Sequence, residues 1–356
     1  MTYRTILKPT GFIDAPFGYD GEVARLAGTM LWFSAVELLH VGHDGSVRTE
    51  LVPVSRLPDQ LHDDAMAASW KAITSARAPL QLGSRTIRLD QPQLMAILNA
   101  TPDSFSDGGV SSGPEQGFAA AEAGAAILDV GGESTRPGAK TVWEGDEIER
   151  VLPLVTALAA SGAAVSIDTR KAAVMEAALG AGATLVNDVS ALTYDPRSGE
   201  VVARSGAPVV LMHHQGTPET MQEAPSYPRS ALVEVYLWLE DRIQAALDAG
   251  IAREKIIVDP GIGFGKNVAH NLELMNGLAA FHGLGCPLLV GASRKRTIGA
   301  LHNEAPADRR LGGSLALALK AVEQGAHLIR AHDVYETVQS LRVWRGLRDQ
   351  ALTPRL

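Results

Sequence analysis

Cysteine is almost absent from this chain of 356 residues, which contains only Cys286. A single cysteine excludes an internal disulfide and any metal site built from several thiolates. Cys286 precedes Pro287 and an apolar run. We therefore expect it to pack at the entry end of a strand.

An excess of positive charge and long hydrophobic runs are also missing. The formal net charge is −8, which argues against general affinity for nucleic acid or an anionic membrane, so any phosphate site must be built locally. No apolar run reaches the length of a membrane span, and residues 1–16 lack the apolar core of a signal peptide. We expect a cytoplasmic protein with neither nucleic-acid nor membrane partners.

Residues 1–90 differ in character from the rest of the chain. Segments rich in strand-forming residues cover 3–7, 29–41 and 46–54, and a helical pattern follows at 62–76. This region contains no paired carboxylates, metal-ligand spacing or phosphate loop. The sequence predicts a small α+β extension of unknown role, used for packing or for subunit contact.

Residues 91–356 repeat a single pattern: a short apolar run, a polar loop and an Ala-rich helical stretch. The eight predicted strands are 94–98, 126–130, 164–167, 184–186, 208–212, 255–258, 287–290 and 327–329. The runs show little alternation, as expected of strands that are covered on both faces. Eight such units over this length predict a (β/α)₈ TIM barrel in which the extension is an addition.

Every predicted strand ends in polar or charged residues. They are Asn99; Glu133 with Ser134, Thr135 and Arg136; Asp168; Asn187 with Asp188; His213; Asp259; Ser293 with Arg294 and Lys295; and Arg330 with His332. Any one of them could simply cap the following helix. Because barrel active sites lie at the carboxyl ends of the strands, all eight together predict one shared site.

Residue spacing excludes one familiar motif and disfavours another kind of site. Residues 259–266 read DPGIGFGK, but a phosphate-binding P-loop needs one more residue between its glycines and a hydroxyl residue where Asn267 stands. His213 and His214 are adjacent and point apart, which disfavours a zinc site. The basic residues after the seventh and eighth strands instead favour an anion site, where barrels commonly hold phosphate.

Four of the strand-end residues combine hydrogen-bond donors with acceptors: Asp168, Asn187, Asp259 and Lys295. A carboxylate can pair with the guanidine-like edge of a flat heterocycle through two parallel hydrogen bonds. The set suits a pterin, although the spacing alone suits another polar heterocycle or a sugar phosphate equally well.

The ordered motifs resemble those of the dihydropteroate synthase family. The resemblance covers about residues 94–343 and is carried by LNATPDSFSDGG (98–109), DVGGESTRPGA (129–139), SIDTRK (166–171), NDVSAL (187–192), LMHHQGTPETMQ (211–222), DPGIGFGK (259–266), GASRKRTIG (291–299), RLGGSLA (310–316) and RAHDV (330–334). It divides the chain into an extension, 1–90, and a pterin-binding barrel, 91–356. It says nothing about the role of the extension.

The resemblance implies a role for each matching position. The pterin ring would be held by Asp168, Asn187, Asp259 and Lys295, and the diphosphate by Arg330, His332 and, through Mg²⁺, Asn99. Thr135 and Arg136 would lie near the pterin diphosphate, and Phe105, Pro137 and Ser293 would shape the p-aminobenzoate pocket, where sulfonamides compete. The implied catalytic residues are Asp168, Asp259, Lys295, Arg330 and His332.

The implied reaction condenses (7,8-dihydropterin-6-yl)methyl diphosphate with p-aminobenzoate to give 7,8-dihydropteroate and diphosphate. Arg296 stands where the family commonly has Ser and borders the aminobenzoate entrance. Two alternatives stay open: a pterin-binding methyltransferase and a non-catalytic pterin-binding protein. The expected assembly is a homodimer.

Overall fold

The computed structural model describes residues 2–100, 113–134, 141–216 and 220–354. Its largest sheet has eight parallel strands in the order β12-β11-β10-β9-β8-β7-β14-β13. These strands are β7 (Gln93–Asn99), β8 (Ile127–Gly131), β9 (Val165–Asp168), β10 (Leu185–Asp188), β11 (Val209–Met212), β12 (Ile256–Asp259), β13 (Leu289–Val290) and β14 (Leu328–Ala331). A parallel bridge between Val258 and Leu288 joins the two ends. The predicted (β/α)₈ barrel is therefore confirmed.

Helices follow the barrel strands along the chain. They are α2 (Pro114–Ala123), α3 (Glu144–Ala160), α4 (Ala172–Gly180), α5 (Ser198–Ser205), α6 (Ala231–Asp248), α7 (Val268–Gly277), α8 (Arg296–Leu301), α9 (Leu311–Val322) and α10 (Val334–Ala351). Local sequence fixes several of their starts. The Ser230 side chain accepts a hydrogen bond from the Val233 N–H, and Asn267 forms a capping box with His270. Among the described helices, none is both long and apolar enough to cross a bilayer.

The extension is an antiparallel sheet with one helix. Its strands are β1 (Thr2–Ile13), β2 (Ala24–Arg25), β3 (Trp32–Gly42) and β4 (Val47–Pro53), and its helix is α1 (Asp64–Thr74). The predicted α+β character is confirmed. β1 runs further than the sequence predicted because β3 pairs with it as far as Ile13. Pro9 is tolerated there because β1 pairs with no other described strand on its second edge.

A small hairpin closes the N-terminal end of the barrel. It consists of β5 (Leu80–Leu82) and β6 (Arg85–Ile87). Its apolar side chains form one buried cluster with the inward-facing residues of the barrel strands: Met95, Ile127, Leu185, Val210, Ile257, Leu289 and Leu328. This end of the barrel is thus filled by packing, which leaves the opposite end for a ligand. The domain boundary between residues 90 and 91 stays a prediction.

Cys286 is fully buried and unpaired, three residues before β13. Burial raises the pKa of its thiol to about 11. The expected packing role at the entry of a strand is confirmed.

Candidate active site

A cavity of about 1030 Å³ opens at the carboxyl ends of the barrel strands. Six of the predicted site residues line it: Asn99, Asp168, Ser293, Lys295, Arg330 and His332. Two more are almost completely buried: Asp259, the last residue of β12, and Asn187, the last but one of β10. The barrel therefore brings these predicted residues to one face.

Arg330 lies at the centre of this face, between two carboxylates. Its Nε donates to Oδ2 of Asp129 at 2.6 Å and its Nη2 donates to Oδ2 of Asp168 at 2.6 Å. The same Asp129 oxygen accepts a hydrogen bond from Asn187 Nδ2 at 3.0 Å. A continuous polar chain thus runs from Asn187 through Asp129 and Arg330 to Asp168.

One carboxylate oxygen of Asp168 takes no part in the contact with Arg330. Its Oδ1 is buried and has no hydrogen-bond partner among the described residues. Burial raises the pKa of Asp168, and although Arg330 opposes the shift, the nearby Asp129 charge reinforces it. Since an unsatisfied buried acceptor is costly, this oxygen is suited to a donor brought by a ligand.

Asp259 is oriented by the loop that follows it. Its Oδ1 accepts a hydrogen bond from the Gly261 N–H at 2.7 Å. Burial raises the pKa of Asp259 to about 6, against the opposing effects of that hydrogen bond and of Lys295 and Arg330. Gly261 has φ +66°, and a Cβ there would come within 1.8 Å of the His213 carbonyl oxygen. The turn beside Asp259 therefore requires glycine.

The loop from Asp259 to Lys266 also shapes the cavity wall. The Lys295 ammonium lies 3.9 Å from the centre of the Phe264 ring, as in a cation–π contact. Lys266 is buried, and its Nζ lies 2.8 Å from His213 Nδ1 and 3.0 Å from the Phe264 carbonyl oxygen. These contacts hold the loop against β11 and fix the Phe264 ring beside Lys295.

Ser293 and His332 meet across neighbouring strands. Ser293 Oγ lies 3.1 Å from His332 Nδ1 and accepts a hydrogen bond from the His332 N–H. The adjacent Arg294 pairs instead with Asp333. The basic run after β13 is therefore divided: Arg294 is paired with a carboxylate, whereas Lys295 contacts the Phe264 ring.

A buried ionic network supports the site from one side. Glu133 accepts hydrogen bonds from the Val142 N–H at 2.8 Å, from Lys171 Nζ at 3.0 Å and from Arg170 Nε at 3.0 Å. Burial acts to raise the pKa of Glu133, but these donors outweigh it and hold the pKa below its ordinary value. Lys171 also donates to the fully buried Glu147. The network ties both ends of the stretch 134–141 to the segment that follows Asp168.

Sequence reasoning assigned no role to several of these residues. Asp129 lies within the apolar run of β8 and was read as part of a strand, and Glu147 lies inside α3. The sequence signals for Asp129 were an acidic residue inside an apolar run and its place at the start of the DVGGESTRPGA motif, and the structure shows the side chain fully buried. Phe264 and Lys266 belong to the DPGIGFGK motif that carries the family resemblance, but the sequence assigned no role to either side chain. Phe105, Thr135, Arg136 and Pro137 lie outside the described residues.

A metal site made only of protein side chains is not found in the part of the chain that the structure describes. No group of three or more His, Cys, Asp or Glu residues there could hold an ion. Asn99, at the end of β7, offers a single amide oxygen to the cavity. Such a sparse donor set fits Mg²⁺, which keeps several waters and is commonly shared with substrate phosphates.

Comparisons with known proteins agree with this arrangement. A family model described as pterin binding enzyme matches residues 95–332. Dihydropteroate synthase of Escherichia coli K12 is 48% identical over 263 residues, which cover 72% of this chain and 92% of the relative. The enzyme of Neisseria meningitidis serogroup B is 46% identical over 282 residues, covering 76% of this chain and 98% of the relative.

Solved structures give the same result. Yersinia pestis dihydropteroate synthase in complex with a sulfonamide drug has a TM-score of 0.72 at 44% identity. The match covers 76% of this chain and 99% of the Yersinia chain. The Xanthomonas albilineans enzyme in complex with 7,8-dihydropteroate has a TM-score of 0.69 at 40% identity, and the match covers 77% of this chain and 100% of the Xanthomonas chain. The chain belongs to the pterin-binding enzyme family and, within it, to the dihydropteroate synthases, transferases of folate biosynthesis.

Proposed function

We propose that the cavity condenses (7,8-dihydropterin-6-yl)methyl diphosphate with p-aminobenzoate. The C–O bond between the pterin methylene and diphosphate breaks, the aromatic amine forms a C–N bond to the methylene, and the amine loses a proton. The observation that carries this proposal is the polar chain from Asn187 to Asp168, which ends in an unpartnered buried oxygen beside Arg330. Relatives bind the expected molecules: structures of the Xanthomonas albilineans enzyme hold 4-aminobenzoic acid or 7,8-dihydropteroate.

The pterin is assigned to the buried end of the cavity. Asp168 and Asn187 lie at the carboxyl ends of the neighbouring strands β9 and β10, Asp259 ends β12, and Lys295 lines the cavity. The ionised carboxylate of Asp259 accepts two hydrogen bonds from the guanidine-like edge of the ring. Asp168 Oδ1 accepts one more and offsets positive charge that develops on the methylene.

The diphosphate is assigned to Arg330 and His332. Arg330 brings a permanent charge to the cavity and His332 is held by Ser293, so both can stabilise the departing anion. Asn99 would hold Mg²⁺, which neutralises diphosphate charge when it is bound. Ser293 would border the p-aminobenzoate site together with Phe105 and Pro137, and Thr135 and Arg136 would bind near the pterin diphosphate.

Diphosphate release tests the proposal directly. The full chain is mixed with the pterin diphosphate, p-aminobenzoate and Mg²⁺, and both diphosphate and dihydropteroate are measured. Equimolar formation of the two is the expected result. Pterin binding with no diphosphate release would favour a methyltransferase or a non-catalytic binding protein instead.

Activity should decline as the pH falls through about 6. Burial raises the pKa of Asp259 to about 6, so this carboxylate becomes protonated below that pH and loses an acceptor that the ring requires. We expect affinity for a pterin without the diphosphate to fall about tenfold per pH unit on the acid side. Using this ligand removes the ionisation of the substrate phosphates, and affinity that stays flat down to about pH 5 would contradict the assignment.

Chelation tests whether the reaction requires Mg²⁺. EDTA should suppress diphosphate release and added Mg²⁺ should restore it, because the described residues include no cluster of three or more His, Cys, Asp or Glu that would retain the ion without the substrate. Asn99→Ala should raise the Mg²⁺ concentration needed for half-maximal rate while pterin binding is retained. Full activity in EDTA would overturn the metal assignment.

We further propose that the chain forms a homodimer in the cytoplasm.

A further inference from the structure

Lys266 carries a buried amine whose contacts are to a histidine and to the protein backbone. The residue is 2% exposed, although it belongs to the cavity wall. Its Nζ lies 2.8 Å from Nδ1 of His213 and 3.0 Å from the carbonyl oxygen of Phe264. Burial lowers the pKa of His213 well below its usual range, so its ring is neutral and Nδ1 can accept a hydrogen bond. Because an amine is costly to remove from water, these contacts must compensate for its burial.

The carbonyl oxygens of residues 263–265 each accept a hydrogen bond from a side chain. The donors are, in chain order, Gln222 Nε2 at 2.8 Å, Lys266 Nζ at 3.0 Å and the Tyr227 hydroxyl at 2.8 Å. Lys266 therefore holds the carbonyl of Phe264 itself, whereas the other two donors hold the carbonyls on either side of it.

The Phe264 ring is in turn a contact of Lys295. The Lys295 ammonium lies 3.9 Å from the centre of the ring, and such a cation–π contact becomes stronger where water is excluded. A lysine side chain is long and flexible. A ring that is fixed beneath the ammonium reduces the freedom that Lys295 would lose when a ligand binds, which favours binding.

We propose that Lys266 is a positioning residue for the pterin site: it holds the Phe264 carbonyl, and through it the ring that presents the Lys295 ammonium to the ligand. The inference rests on the proposed function, in which Lys295 holds the pterin ring. It follows that Lys266 contributes to pterin affinity only through Lys295.

A double-mutant cycle in the full chain tests this dependence. Lys266→Met removes the amine and keeps most of the side-chain length, so the dissociation constant of a pterin without the diphosphate should rise about fivefold to tenfold. In the Lys295→Met background the same substitution should change it by less than about twofold, because the group that Lys266 positions is gone. Titration calorimetry measures all four chains. An equal loss of affinity with and without Lys295 would overturn the proposal.

Phe264→Leu tests the middle of the path. It removes the aromatic face but keeps the backbone carbonyl that Lys266 contacts. Its loss of affinity should match that of Lys266→Met, and the double variant K266M/F264L should be within about twofold of the weaker single variant. Losses that multiply in the double variant would show that Lys266 acts on the ligand by another route.

Tyr227→Phe is the matched control. It removes the same kind of hydrogen bond from the Gly265 carbonyl, the peptide group next to that of Phe264, and should leave pterin affinity within about twofold. If it weakened binding as much as Lys266→Met, general loosening of the loop would explain both results and the positioning role would fall.

Thermal unfolding of every variant shows whether the chain is folded. Lys266→Gln keeps a neutral donor on a shorter side chain, so it takes the place of Lys266→Met in the same cycle if the methionine variant does not fold. The cycle measures binding alone. A wild-type chain that binds the pterin but releases no diphosphate would refute the proposed reaction and leave the positioning role standing if the cycle holds. A wild-type chain that binds no pterin would overturn both.

Discussion

Asp259→Asn is expected to remove pterin binding and, with it, diphosphate release. Asparagine keeps the size and one oxygen, which can still accept from the Gly261 N–H. It replaces the other acceptor by an NH₂ donor, which faces the donor edge of the ring. Two charge-assisted hydrogen bonds of roughly 1.5–3 kcal/mol each are lost or weakened. The affinity should therefore fall about 10²-fold to 10⁴-fold, measured by titration calorimetry with the pterin alone.

Asp308→Asn is the matched control, since Asp308 lines the same cavity but is exposed at its rim. It should leave pterin affinity within about twofold, because a surface charge is strongly screened. If Asp259→Asn and Asp308→Asn gave the same small effect, Asp259 would not be a ligand of the ring.

Arg330→Met should damage both stability and catalysis. The substitution keeps much of the packing but leaves the buried Asp129 and Asp168 carboxylates without their shared cation. Breaking a buried ion pair from one side costs about 3–5 kcal/mol, so thermal unfolding should shift strongly downwards. Because Arg330 contacts Asp168 as well as the cavity, binding of the pterin should suffer together with binding of the diphosphate.

A second substitution separates these two effects. Asp129→Asn in the Arg330→Met background removes one of the two buried carboxylate charges that are left without a cation. It should recover part of the stability while diphosphate release stays lost. Arg204→Met is the surface control: its ion pairs with Glu176 and Glu200 are exposed and should be worth no more than about 1 kcal/mol. Recovery of catalysis in the double variant would show that Arg330 has only a structural role.

The positions of the site residues followed from local sequence, because a polar residue directly after a buried apolar run marks the end of a strand. Asn99, Asp168, Asn187 and Asp259 were found in this way, and each is the last residue of its strand or the one before it. That these residues meet at one face then followed from the rule that barrel active sites lie at the carboxyl ends of the strands.

The extension shows where local pattern falls short. Its strands and helix were predicted near their observed positions, but β1 continues through Lys8, Pro9 and Gly11, whose types do not favour a strand. Pairing with β3 overrides that preference. The β5–β6 hairpin was not predicted, since its few apolar residues gain their role only by filling the end of the barrel.

Apolar periodicity and contiguous motifs are local properties of a chain, so the barrel, the extension and the family could be predicted from residue order. The folded barrel was needed to show that Asp129 shares Arg330 with Asp168, and that Glu133 and Glu147 share Lys171. Arg330 and Asp129 are 201 residues apart. The free energy of a buried charge depends on which charges surround it, and that is decided when the barrel closes.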